Sequence, residues 1–155
     1  MMKNRKKKTK KMNEILKFKN FLTESRYNGE GVLEYGPGIR IVVWIDKDLA
    51  DYYRSLIPKY KYVQPQKYPP HITVVRTGKE QPTNMTFWNK YQGQSIPFAY
   101  DNEIHTDGTY FYLNAWSDRI GEIRQELGLP KFRFSDEGIS DSKNGNYHIT
   151  IGNIK

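Results

Sequence analysis

Cysteine is absent from the 155-residue chain, which removes disulfides, thiolate zinc sites and thiol nucleophiles together. The absence fits a reducing cytoplasm. Long apolar runs are missing too: the longest, Ile41–Ile45, is far too short to span a bilayer, so no membrane partner is expected. The basic N-terminus is not followed by an apolar h-region, so no secretory signal is expected. Histidine is scarce, three residues in all, and nothing in their spacing matches a metal-ligand set, so neither a metal nor another cofactor is expected. At 37% hydrophobic and 14% aromatic residues, the chain still has enough to bury the core of one domain. The formal net charge of +8 sits largely in Lys3–Lys11. Such a block is a solvated tail or a source of weak, nonspecific nucleic-acid affinity through counterion release; alone it does not make a nucleic-acid binder.

Residues Asn13–Arg26 carry Ile15, Leu16, Phe18, Phe21 and Leu22 close to a helical stripe, which predicts an amphipathic helix. Gly29, Gly31, Gly36, Pro37 and Gly38 follow and read as a linker. The expected organisation is a basic leader and linker over 1–37, partly disordered or helical, and one domain over 38–155.

That domain reads as one unit written twice. Gly38–Ile45 is β-branched and bounded by turn residues, which predicts a strand. Asp46 can cap the next helix, whose apolar face is Leu49, Tyr52, Tyr53 and Leu56 before Pro58 stops it. A Pro-rich connection, Gln64–Pro70, enters the strand His71–Arg76. In the second unit Thr109–Trp116 is the first strand and Ser117 the cap. Ile120, Ile123 and Leu127 form the helix face, and Gly128 and Pro130 the stop. The polar connection Ser135–Asn146 then enters Tyr147–Gly152, while Gly78–Gly108 is expected to hold a connecting hairpin and loops. The expected fold class is α+β, a bilobal arrangement of two strand–helix–strand units related by a pseudo-twofold axis around a cleft.

Residues two apart in a strand share a face. His71 and Thr73 therefore point one way and Ile72 and Val74 the other, and the same parity separates His148 and Thr150 from Ile149 and Ile151. With the units paired by their symmetry, both imidazoles and both hydroxyls face one cleft. Phosphoester chemistry can use that set. A neutral imidazole takes a proton from water or a ribose hydroxyl, and a protonated one supplies the leaving oxygen. The threonine hydroxyls donate to nonbridging phosphate oxygens. One H-x-T is a weak motif and alone would read as a surface histidine beside a threonine. Two copies, each with Ile inside and each closing a repeated unit, make coincidence a poor account. The same parity puts Arg40, Val42 and Trp44 on the cleft side, and likewise Tyr110, Tyr112, Asn114 and Trp116. Arg40 is a candidate phosphate partner. Trp44, Tyr110, Tyr112 and Trp116 are candidates for stacking on bases, the alternative being that they fill the lobe interface. Trp88, Lys90 and Tyr91 are weaker candidates. His105, among Asp101, Asn102, Glu103, Thr106, Asp107 and Gly108, reads as a turn residue, the alternatives being a ligand or a third catalytic group.

Two H-x-T motifs 77 residues apart (148 − 71), the first preceded by Pro69-Pro70, resemble those of the two-histidine (2H) phosphoesterase superfamily. The resemblance covers roughly Gly38–Lys155. It implies the bilobal 2H fold, metal-independent phosphodiesterase activity, and catalytic roles for His71, Thr73, His148 and Thr150. The superfamily includes RNA 2′,3′-cyclic phosphodiesterases, 2′,5′-RNA ligase-like proteins and viral enzymes that degrade 2′,5′-oligoadenylate. It also includes phage anti-CBASS nucleases that linearise cyclic oligonucleotide signals. Histidine-triad hydrolases, which the letters H-I-T also suggest, need H-x-H-x-H, which neither copy has. The chain runs five residues past Thr150 (155 − 150), so substrate contacts that a relative draws from a longer C-terminal extension are expected to come from elsewhere or to be missing.

The segment Phe18–Ser25 is similar to the capsid-targeting leaders of internal proteins of T-even-like phages. Those are cut after an aliphatic-x-Glu pattern, matched here by Leu22-Thr23-Glu24; an ordinary amphipathic helix is the plainer account. Together the resemblances imply a phage enzyme acting in the host cytoplasm, or packaged in the virion, on a small nucleotide or oligonucleotide. Cyclic oligonucleotide defence signals rank first as substrate. The alternatives are an RNA 2′,3′-cyclic or 2′,5′-phosphodiesterase in RNA processing and, from another class, a non-catalytic nucleotide-sequestering or RNA-binding module.

Overall fold

The computed structural model describes residues 26–131 and 147–155. The basic block Lys3–Lys11, the helix expected over Asn13–Arg26 (Arg26 apart), Leu22-Thr23-Glu24 and the connection Ser135–Asn146 lie outside the described residues.

Runs of β-branched and aromatic residues become strands where alternation lets one face be buried. In chain order the elements are β1 (Arg26–Tyr35), β2 (Ile41–Trp44), α1 (Lys47–Ser55), a 3₁₀ turn (Lys59–Lys61) and β3 (His71–Val75). Then follow β4 (Ser95–Asp101), β5 (His105–Thr106), β6 (Tyr110–Trp116), α2 (Asp118–Glu126) and β7 (Tyr147–Asn153). The class is α+β, and both expected strand–helix–strand runs, β2-α1-β3 and β6-α2-β7, are formed.

The strands make one seven-stranded sheet, and its pairings are antiparallel. Across it the order is β3-β2-β1-β4-β6-β7, with β5 beside β4 on the same edge of β6. Read by units, this is third, second and first strand of one, then first, second and third of the other. The sheet is nearly closed: its end strands, β3 and β7, bring Cα atoms within 8 Å of each other. Leu33, Val43, Ile72, Ile96, Leu113 and Ile149 are fully buried on the face that the helices cover, where each side chain stabilises the fold by roughly 1.5–3 kcal/mol. α1 packs against β7, and α2 against β3 and β4, so each helix lies over a strand of the other unit.

The stretch expected as a linker departs most from expectation. The sheet reaches back to Arg26, ahead of the expected domain start at Gly38, and β1 is one of its two central strands. Gly29 and Gly31 mark close packing there, as glycine inside a strand often does. A Cβ on Gly29 would sit 2.6 Å from Cζ of Phe98 on β4, and one on Gly31 would meet Val43 and lie 2.6 Å from the Trp44 carbonyl oxygen on β2. Gly36 and Gly38, at φ +75° and +73°, do form a turn, which joins β1 to β2. The stretch Gly78–Gly108 likewise holds more than a hairpin, since it supplies the second central strand, β4.

Both helix caps form as expected. The Asp46 carboxylate accepts from the Asp48 N–H at 2.9 Å, and the Ser117 hydroxyl from the Ile120 N–H at 3.2 Å. In α2 Ile120 and Ile123 are buried, and Arg124 and the C-cap residue Leu127 with them. In α1 the buried side chains are Ala50 and Tyr53, with Leu49 and, just past the helix end, Ile57 partly covered, while Tyr52 and the C-cap residue Leu56 point to solvent. Docking against β7 selects the i, i+3, i+4, i+7 row 50, 53, 54, 57, and a polar residue, Arg54, fills one place in it.

Arg124 and Glu80 form a buried ion pair at 2.6 Å, the Arg124 side chain being only 1% exposed. Burial pushes the Glu80 carboxyl up, but the Arg124 hydrogen bonds and charge and the Arg76 N–H outweigh it and hold it below its ordinary 4.5. A depressed carboxyl contributes stability that is complete above its unfolded pKa and is lost as pH falls through the folded one. Glu80→Ala is expected to cost about 3–5 kcal/mol at pH 7, the scale for stranding a buried charge. Urea denaturation at stepwise lower pH should show this deficit shrinking below pH 4.5, where wild type loses the same contribution. A second expectation concerns β1. A chain shortened to begin at Gly38 should lose its cooperative thermal transition by circular dichroism, while one beginning just ahead of Arg26 keeps it.

Candidate active site

Because side chains alternate along strands and directly paired residues share a face, the register traces one continuous surface. His71 pairs with Trp44, Trp44 with Val32, and Val32 with Ser95. Two steps of two along β4 reach Ala99, which pairs with Trp116; two back along β6 reach Asn114, which pairs with His148. Thr73 joins this face opposite Val42, and Thr150 opposite Tyr112. Both H-x-T pairs therefore lie on the face opposite the helices, and all four side chains are half-buried.

The first motif begins where Pro69-Pro70 end. The Ile45 N–H donates to the Pro70 carbonyl at 3.0 Å, which fixes the entry into β3. His71 Nδ1 lies 2.9 Å from the Pro69 carbonyl oxygen. A carbonyl can only accept, so Nδ1 carries the hydrogen and Nε2 is the nitrogen left to exchange a proton. The Trp44 ring meets the imidazole edge-on, centroids 5.4 Å apart, and Trp44 Nε1 donates to the Glu34 carboxylate. A row Glu34–Trp44–His71 thus crosses three strands and steadies the imidazole from the side.

The second motif is flanked by the aromatic residue paired with its threonine. The Tyr112 ring lies 4.5 Å from the His148 ring on one side and 5.7 Å from the His105 ring on the other. Asn114, buried, sits opposite His148 and places its Nδ2 3.2 Å from His105 Nε2. His105, read from sequence as a turn residue with a site role as the alternative, opens β5 and shares the face of the H-x-T pairs through Tyr112. Asp101 Oδ2 lies 3.9 Å from His105 Nε2. Burial raises the Asp101 carboxyl above its usual range, against the opposing Glu103 N–H and His105 charge.

The remaining candidates are placed unevenly. Trp44 touches His71, and Tyr112 touches His148. Trp116 lies further along the face, under the Arg26 guanidinium at 4.0 Å. It borders a cavity of about 920 Å³ with Arg26, Asn28, Glu30, Pro97 and Arg119. Tyr110 is at the outer end of β6, with the Lys155 ammonium 5.0 Å over its ring. Arg40 precedes β2 at the end away from His71, its Nη2 donating to the Gly36 carbonyl at 3.1 Å; the structure does not bring it to the histidines. Glu34 and Arg26 had no signal in the sequence, because the stretch that carries them read as leader and linker. A smaller cavity of about 210 Å³ lies between α1 and the Pro-rich connection, lined by Ala50, Asp51 and Arg54, by Pro69 and Pro70, and by Thr150 and Ile151 of β7; neither histidine lines it.

Among the described residues no group of three or more His, Asp or Glu side chains converges to hold a metal ion. No helix among them is long and apolar enough to cross a membrane. No protein-family model, no curated protein and no solved structure matches this chain.

The His71 geometry has a direct check. Long-range ¹H–¹⁵N correlation spectra of the neutral protein should show His71 as the Nδ1–H tautomer. A dominant Nε2–H signal would mean that the Pro69 carbonyl does not hold the ring.

Proposed function

We propose that this chain is a phosphodiesterase of the two-histidine class that hydrolyses small nucleotide phosphodiesters, with cyclic oligonucleotide signals as its first substrate class. The observation that carries the reading is the common face: two His-x-Thr pairs, far apart in sequence, lie on one side of one sheet whose end strands meet. Pure binding has no need of two proton-transfer groups set out symmetrically. A bilobal 2H fold, with a cleft between the units, is the arrangement this topology supports best.

In the proposed reaction one neutral imidazole takes a proton from the attacking water as its oxygen bonds to phosphorus. The other, protonated, gives its proton to the departing ribose oxygen as the P–O bond breaks. His71 exchanges its proton through Nε2 in either role, since Nδ1 is committed to Pro69. Thr73 and Thr150, each two residues from its histidine, donate to the nonbridging oxygens and hold the phosphorus in line. Trp44 offers a ring face to a base, while Tyr112, flanked by the His148 and His105 rings, holds the second motif in place. The preference for cyclic oligonucleotides rests on the phage-like leader, and the chemistry itself does not depend on it.

The test is a cyclic dinucleotide incubated with the full chain in EDTA and resolved by chromatography. A linear product is expected, and His71→Ala or His148→Ala should each lower its rate by about 10²-fold or more, the scale for losing a general acid or base. Near-normal turnover by His148→Ala would overturn the mechanism. If cyclic dinucleotides stay intact while RNA 2′,3′-cyclic phosphate ends are opened, the RNA-processing alternative holds. Binding without turnover of either substrate would make the protein a sequestering module.

A further inference from the structure

The residue after each site threonine falls out of register with the neighbouring strand. In β3, Thr73 pairs with Val42 and Val75 with Ile41, so Val74 stands opposite no residue. In β7, Thr150 pairs with Tyr112 and Gly152 with Phe111, which leaves Ile151 in the same position. These are bulges at matching places in the two repeats, and a bulged residue leaves the hydrogen-bond ladder. Its carbonyl, buried away from water, then needs another donor.

Both carbonyls find one, each time an arginine in the last turn of the other unit's helix. Arg54 of α1 donates from Nη1 to the Ile151 carbonyl of β7 at 3.0 Å. Arg124 of α2 donates from Nη1 to the Val74 carbonyl of β3 at 2.6 Å. Carboxylates hold both guanidinium groups in turn, Asp51 on Arg54 and Glu80 on Arg124, each at 2.6 Å. The guanidinium fork suits this task because it binds a carbonyl and a carboxylate at once with fixed geometry. A purely local role for either arginine would not repeat at equivalent bulges across the unit boundary.

We infer that Arg54 and Arg124 are positioning residues for the proposed phosphodiesterase site. Each holds the H-x-T strand of the opposite unit at its bulge, so the placement of His148 depends on α1 and that of His71 on α2. The effect on turnover rests on the function proposed above; the geometric coupling does not. Arg54 is the better residue to replace, its side chain being 19% exposed against 1% for Arg124.

The test uses the full chain with isotope-labelled histidine. In Arg54→Met the imidazole signals of His148 should move while those of His71 stay, and Arg124→Lys should give the reverse. On a cyclic dinucleotide, Arg54→Met should lower kcat by about 10-fold to 100-fold with KM changed less than about 2-fold, as for a small misplacement of reacting groups. Arg54→Lys, which keeps one donor, should recover part of that loss. Should Arg124→Lys fail to fold, the Arg54 variants decide alone. Movement of His71 in place of His148, no movement of either, or an unchanged kcat in an active protein would each overturn the inference. If the crossed pattern appears while no form of the protein turns over a diester, the positioning role stands and the phosphodiesterase reading fails.

Discussion

Antiparallel pairing of β1 with β4, from Arg26 opposite Asp101 to Val32 opposite Ser95, joins the two units into one sheet. Side chains alternate strictly along strands, so this one registration decides which face of the second unit continues the polar face of the first. A slip of one residue would turn His148 and Thr150 toward the helices and put Ile149 and Ile151 in their place. The pairing depends on Gly29, because any side chain there would collide with the Phe98 ring. A residue with no functional side chain thus governs where the two H-x-T motifs sit.

The helices enforce the same union from outside. α1 lies over β7 and α2 over β3, so neither unit completes its hydrophobic cover without the other. A buried ion pair such as Arg124–Glu80 is a poor source of net stability, since desolvation offsets much of its attraction. Its value here is geometric, because the same guanidinium reaches the Val74 carbonyl beside Thr73. The Pro69 carbonyl on His71 and the Tyr112 ring on His148 add local restraint. Both imidazoles are thus held in place by neighbouring groups, the kind of preorganisation that the proposed site would need.

Much of the fold and site was legible in sequence where the signal was local. The caps at Asp46 and Ser117 need only a side chain within reach of the next turn. The alternation around His71 and His148 needs only the pleat. The α1 face was misread because Tyr52 and Leu56 are apolar enough for a core, yet the row that docks on β7 passes through Arg54. β1 was misread because its glycines resemble a breaker sequence until Phe98 and Val43 are placed across from them. His105 carried no pattern at all, and it shares the site face only because β5 pairs with β6 opposite Tyr112.

Local residue pattern dictates the repeated strand–helix–strand order, the caps that start each helix, and the pairing of each histidine with its threonine. These follow from contacts within a few residues, for which chain connectivity alone sets the geometry. Long-range packing, by contrast, makes the two motifs share a face, starts the described sheet at Arg26, and lets an arginine from each unit grip the other's bulged strand. Those depend on register and packing between segments up to about a hundred residues apart, such as Arg54 and Ile151 (151 − 54 = 97). No local preference encodes such distances; they are settled when hydrogen bonds and buried surface must be satisfied together.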